Sequence, residues 1–201
     1  MFVLFTFLWL SSLVCRCSSL TITSSTLIIR DDVKAAQSSS SSSSSSSDLI
    51  QSICSQTQNR GYCQQFLQQL YRPGESLGDL GQSAFDSVSK LIFFTYDEIH
   101  VREVGSSIND PVLNKIYHKC GGQYTAAINA LNKAKAFLKS GDYGKLPNLV
   151  SLALNQPPLC DSNFTPPTQE PAEIKKLNNQ ARDDCAILFA ISNRLASGKN
   201  L

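Results

Sequence analysis

The sequence predicts an all-α protein, an antiparallel up-down four-helix bundle preceded by a short helical hairpin. Three observations carry this. Apolar residues recur at three- and four-residue spacing in successive segments, helix starts and stops stand between those segments, and no run shows the period-two alternation of a half-buried strand.

The 201 residues do not all belong to that fold. Met1 to Val14 carries no charge and has the length of a signal-peptide core, short of the ~20 residues that span a bilayer. Residues 1–17 are therefore read as a signal peptide, cleaved after Cys17 or after Ser19, with a signal anchor as the alternative. Ser38 to Ser47 is unbroken serine, which cannot bury apolar area to offset its ordering entropy, so residues 18–47 are expected to form a disordered stalk. The remaining residues, 48–201, suit one domain, with a hairpin over 48–72 and the bundle over 78–198. Formal charge is +2, and loss of Arg16 with the leader makes it +1, so no strong field points to nucleic acid.

Asp48 to Leu70 holds two short helical pieces divided by Asn59-Arg60-Gly61, neither long enough to be stable alone. The first bundle helix runs through Leu80, Ala84, Val88, Leu91, Ile92, Tyr96 and Ile99. Asp110 and Pro111 open the second as N-cap and first-turn residue, and Gly141 closes it. Gly121-Gly122 interrupts this helix at a cost of up to about 2 kcal/mol, with a bend as one outcome.

The third segment, from Asp142, carries Leu146, Leu149, Val150, Leu152, Ala153 and Leu159 on its apolar side. Pro147 fits only a first turn, and Pro157-Pro158 should kink or end the helix before Cys160. The fourth helix starts at Pro171, repeats Ile174, Leu177, Ala181, Leu188, Ile191 and Leu195, and stops near Gly198.

After cleavage, seven cysteines become five in a chain bound for an oxidising compartment. Cys54 and Cys63 flank the hairpin turn, where a bridge would staple it. The second bridge has three candidates, Cys120, Cys160 and Cys185. Pairing Cys120 with Cys160 is preferred, because it ties the second helix to the end of the third and leaves Cys185 as a buried free thiol.

An enzyme would need an activated nucleophile, an acid–base pair, a metal or a phosphate cradle. His100 and His118 are read as edge or solvated histidines, and Asp97-Glu98 and Asp183-Asp184 as solvated charges, since sequence neighbours on a helix do not converge. No metal site or cofactor is expected. Asn163-Phe164-Thr165 matches an N-glycosylation acceptor. A stapled helical protein without catalytic residues is suited to presenting rigid faces to a partner.

Particular motifs narrow this reading. Ile53-Cys54 and Cys63; Leu80-Gly81-Gln82; Ala134 to Leu138 running into Ser140-Gly141-Asp142-Tyr143; Cys160-Asp161 with Phe164; and Asp184-Cys185 followed by Ala190-Ile191-Ser192-Asn193 together resemble the plant invertase and pectin methylesterase inhibitor family over Ile50 to Ser197. The resemblance implies the same disulfides, Cys54 with Cys63 and Cys120 with Cys160, a free Cys185, and a stoichiometric inhibitor that is not itself an enzyme.

Pro166, Pro167 and Pro171 after Cys160 resemble the pectin methylesterase branch, and the Pro-Lys-Phe of many invertase inhibitors is missing. The partner implied is pectin methylesterase, held in a 1:1 complex by a monomer that blocks the substrate cleft. Acid invertase is the alternative, followed by a non-inhibitory secreted binding protein. The resemblance and the leader together place the protein outside the cell, in the apoplast or wall, with no membrane attachment after cleavage. Thr125, Asn129 and Asn132 on the second helix and Asn148, Ser151 and Asn155 on the third are the expected contact residues, uncharged groups whose state is constant in mildly acidic surroundings.

Overall fold

A computed structural model describes residues 41–106 and 109–198; the expected signal peptide at 1–17 and residues 18–40 of the expected stalk lie outside them. The hairpin is formed by α1 (Ser41–Cys54) and α2 (Arg60–Leu70). The bundle comprises α3 (Leu77–Ser106), α4 (Pro111–Ser140), α5 (Leu146–Leu154) with α6 (Gln156–Asp161), and α7 (Ala172–Ala196). Among the described residues there is no strand.

Helix α1 begins at Ser41, so seven residues expected in the stalk are helical. The buried Leu49, Ile50 and Ile53 fix a helical nucleus, and extending it through serine costs only a fraction of a kcal/mol per residue. Asn59 caps α2 by accepting from the Tyr62 N–H. The Cys54–Cys63 disulfide closes the turn between the two helices.

Helix α3 starts at Leu77, ahead of its apolar stripe, because Ser76 and Asp79 cap it reciprocally. The Ser76 N–H donates to Asp79 Oδ2 and the Asp79 N–H to Ser76 Oγ, both at 3.2 Å. Asp110 accepts from the Leu113 N–H at the head of α4, and left-handed Gly141 (φ +74°) ends that helix. Helix α4 passes through Gly121-Gly122 unbroken. The packed faces on either side, including Tyr117, Cys120, Tyr124 and Leu131, offset the glycine cost.

The third side of the bundle is two helices in series. Pro147 sits in the first turn of α5, and Pro157-Pro158 in the first turn of α6, where the missing N–H groups have no intrahelical partner to lose. The joint at Asn155 carries Cys160 to Cys120, with Cα atoms 4.7 Å apart in the second disulfide. Helices α3, α4, α5 and α7 pack in a ring, each against its two neighbours, around Phe85, Ile92, Tyr124, Leu131, Leu188 and Ile191. Gly81 faces Leu195 and Ile191 where α3 meets α7, and a Cβ there would lie 3.4 and 3.5 Å from them, at ordinary contact distance.

Asp184 departs from the sequence expectation. It is 2% exposed and accepts from the Tyr62 hydroxyl at 2.6 Å, so it is a buried link between hairpin and bundle. Its partner in sequence, Asp183, accepts from Asn59 Nδ2 at 3.1 Å at the hairpin turn.

Candidate functional site

Among the described residues no group of three or more His, Cys, Asp or Glu could hold a metal ion, and no helix is long and apolar enough to cross a membrane. His118 is largely exposed and lies with Nδ1 2.7 Å from Glu103 Oε1, at the α3–α4 seam. Cys185 is a buried free thiol, its pKa raised first by burial and then by Asp184.

The six expected contact residues do not form one face. Asn132 lines a groove of about 710 Å³ between α3 and α4, with Phe93, Phe94 and Ile128 as its apolar part. The Lys135–Asp86 ion pair (2.6 Å) borders it and holds the Asp86 carboxyl below its ordinary range. Thr125 and Asn129 are exposed on the same helix, and Thr125 Oγ1 donates to the Gly121 carbonyl at 2.9 Å. Asn155 instead lines a cleft of about 290 Å³ at α7, with Leu154, Pro158, Arg182, Asp183 and the hairpin-turn residue Asn59. In the ring order these two recesses lie at opposite corners, because α5 packs between α4 and α7 and does not touch α3.

Asn148 and Asn155 are exposed on the third side and Ser151 is half-buried. Leu152 and Leu159, placed on the apolar stripe by sequence, are 56% and 46% exposed and face outward among them. Only Leu146, Val150, Ala153, Pro157 and Cys160 of this segment are buried. The reason is angular: Leu152 falls two residues beyond Val150, about 200° around the helix, and the joint at Asn155 re-aims the residues of α6. No residue from 146 to 160 is charged. A solvent-facing helix normally carries charge on its outer side, whereas the cores of protein interfaces are depleted of it.

Phe93 and Phe94, 54% and 53% exposed, were missed from sequence; lying between Ile92 and Tyr96 but off the stripe, they carried a readable signal. Asn163 is partly buried. Its side-chain amide donates to Gln123 Oε1 and to the Leu159 carbonyl, both at 3.0 Å, so the nitrogen that would carry a glycan is turned toward α4 and α6.

Comparison with known proteins agrees with this architecture. The crystal structure of a pectin methylesterase inhibitor from Arabidopsis thaliana superposes with a TM-score of 0.57 at 26% identity, covering 74% of this chain and 97% of that one. A mutant form of a pectin methylesterase inhibitor from Arabidopsis shares the fold at a TM-score of 0.64 and 24% identity, over 72% and 95% of the two chains. In sequence, the pectinesterase inhibitor of Actinidia deliciosa is 32% identical over 152 residues, 75% of this chain and 81% of the relative. Pectinesterase inhibitor 2 of Arabidopsis thaliana is 26% identical over 147 residues, 73% and 83% of the two. Residues 48–191 match the family described as plant invertase/pectin methylesterase inhibitor, and with these relatives the chain belongs to that family of enzyme inhibitors.

Proposed function

We propose that this protein is a secreted inhibitor of pectin methylesterase, acting in the plant cell wall as a monomer that blocks the enzyme's substrate cleft in a 1:1 complex and so limits pectin de-esterification. The observation that carries the reading is the charge-free outer side of α5 and α6, with Leu152 and Leu159 presented among Asn148, Ser151 and Asn155 on a scaffold stapled by Cys120–Cys160. Pectin methylesterase is favoured as target because the relatives from Actinidia and Arabidopsis are pectinesterase inhibitors. A specific complex buries about 800 Å² on each partner, more than one helix face offers, so the contact extends onto the flanks of α4 and α7.

Acid invertase is the second reading, since the family description includes it. Titration of the mature protein against a plant pectin methylesterase and an acid invertase in parallel decides between them. Loss of esterase activity that is complete at equimolar inhibitor supports the proposal. Loss of invertase activity alone transfers it to the second reading, and no effect on either enzyme removes both.

A further inference from the structure

Residues 162–171 connect α6 to α7, and two carboxyl groups face each other across the neck of this loop. Asp161 is the last residue of α6 and Glu170 stands just before α7, and the Asp161 carboxyl favours the protonated form of Glu170. Both also accept from one amide, that of Asn178, which donates to Glu170 Oε1 at 2.8 Å and to Asp161 Oδ1. Asn178 is fully buried, and its own oxygen accepts from the buried Tyr124 hydroxyl of α4 at 2.6 Å. Each amide hydrogen thus meets one carboxyl oxygen, and none remains to offset the repulsion between the two groups when both are ionised.

The remaining groups around the neck do not supply that compensation. Lys175 on α7 is exposed and draws only weakly on Glu170. Tyr117 on α4 is buried and uncharged, and Arg102 on α3 is committed to Glu173. Behind Tyr124 lies the Cys185 thiol, kept neutral by burial. Two carboxyl groups gathered on one amide can hydrogen-bond to each other only while one of them holds a proton; as two carboxylates they repel.

We propose that the α6–α7 loop is a proton-operated latch, in which one proton shared by Asp161 and Glu170 holds the neck closed and its loss releases residues 162–170. The Glu170 carboxyl is pushed up to about 7, by burial first and by Asp161 second. Its folded-state value lies above its ordinary one, so the closed neck is favoured at acid pH and loses that support as pH rises toward and through about 7. The loop carries Phe164, packed edge-on against Tyr117 with ring centroids 5.9 Å apart, and it adjoins Cys160 and Leu159 at the end of the third side. Any effect on inhibition rests on the proposed contact face of α5 and α6; the latch itself does not.

Hydrogen exchange of the mature protein tests it, read as protection factors corrected for intrinsic exchange. The informative amides are Phe164, which donates to the Asp161 carbonyl, and Thr168, which donates to the Thr165 carbonyl. Between about pH 5 and about pH 7.5 their protection falls about tenfold, the effect of one pKa unit, less than the full shift because Glu170 is only half-buried. Glu170→Gln, whose amide donates to Asp161 at any pH, holds protection constant. Equal protection of the parent at both pH values overturns the latch, as does an undiminished pH effect in Glu170→Gln.

If that variant does not fold, carbon-13 titration of the parent's carboxyl groups decides. A Glu170 step near neutrality supports the latch. Titration of Glu170 in the ordinary carboxylate range overturns it. These readouts need no esterase, so failure of the latch and failure of the inhibitory reading are separately visible.

Discussion

The Tyr62 hydroxyl donates to Asp184 Oδ1 across 2.6 Å, joining the second helix of the hairpin to the last helix of the bundle. Tyr62→Phe removes the donor and leaves a buried carboxyl without it, a change expected to cost about 1–3 kcal/mol. The drop should be visible as a lower urea midpoint, with α-helical circular dichroism unchanged before the transition.

Stability should fall as pH rises from acid toward neutral. Burial pushes the Asp184 carboxyl up to about 6, only partly countered by Tyr62. Its stabilising contribution is full below the ordinary carboxylate value and is lost as pH rises through about 6, an effect of about 3 kcal/mol. Glu170 acts in the same direction by a smaller amount because it is more solvated. Asp86 acts in the opposite sense at the acid end, because Lys135 lowers its pKa and that contribution disappears as the carboxylate protonates. Urea midpoints across the range should therefore peak on the acid side of neutrality, and Asp184→Asn should flatten the neutral limb.

Replacing Cys120 and Cys160 together by serine opens a loop of 40 residues and should cost about 4 kcal/mol on the chain-entropy account. The free Cys185 thiol should not react with Ellman's reagent in the native protein and should react once when denaturant exposes it, because burial both shields it and keeps it protonated. Three reactive thiols in the unfolded, unreduced mature protein would contradict the presence of two bridges.

On the third side, Leu152→Lys should weaken inhibition of pectin methylesterase at least about tenfold by placing a charge in a contact that has none. Circular dichroism and the thermal midpoint should stay at parent values, since the side chain is half-exposed. Asn132→Lys, in the α3–α4 groove at the opposite corner from the Asn155 cleft, serves as the comparison and should weaken inhibition less. Equal losses would move the contact face toward α4.

Asn163 should carry no glycan. Its amide nitrogen is engaged by Gln123 and Leu159, and the acceptor motif is followed by Pro166. Intact mass of protein secreted by plant cells should match the unmodified chain at this position, and Asn163→Gln should leave its electrophoretic mobility unchanged.

Helix periodicity made the bundle legible, because four apolar stripes with their caps admit few other packings. The Pro-containing segment was legible as a weak helix but not as two good ones, since the same residue that stops a helix in its interior begins one in its first turn. Leu152 and Leu159 were misplaced for a related reason: composition marks them as core, and only the angle about α5 and the joint at Asn155 turns them outward.

Long-range polar pairing was not legible at all. Asp184 looked like half of a solvated acidic pair because its partner Tyr62 is 122 residues away in sequence. Asn178 was more accessible to inspection, standing four residues after Ile174 on the buried stripe, where a polar residue must find partners. The six expected contact residues were chosen by spacing within each helix, and spacing does not say which sides of two helices share a corner.

The attachment of the hairpin to α7 through Tyr62, Asn59 and Ser52 has a consequence for biosynthesis. The hairpin is made early and its main polar anchor late: at about 5–20 residues per second, the 122 residues between Tyr62 and Asp184 take roughly 6–24 s to translate. During that interval the Cys54–Cys63 bridge can preserve the shape of a piece too short to stay helical alone. The staple thus acts first as a holding device for an unfinished chain, and only afterwards as a source of stability in the completed one.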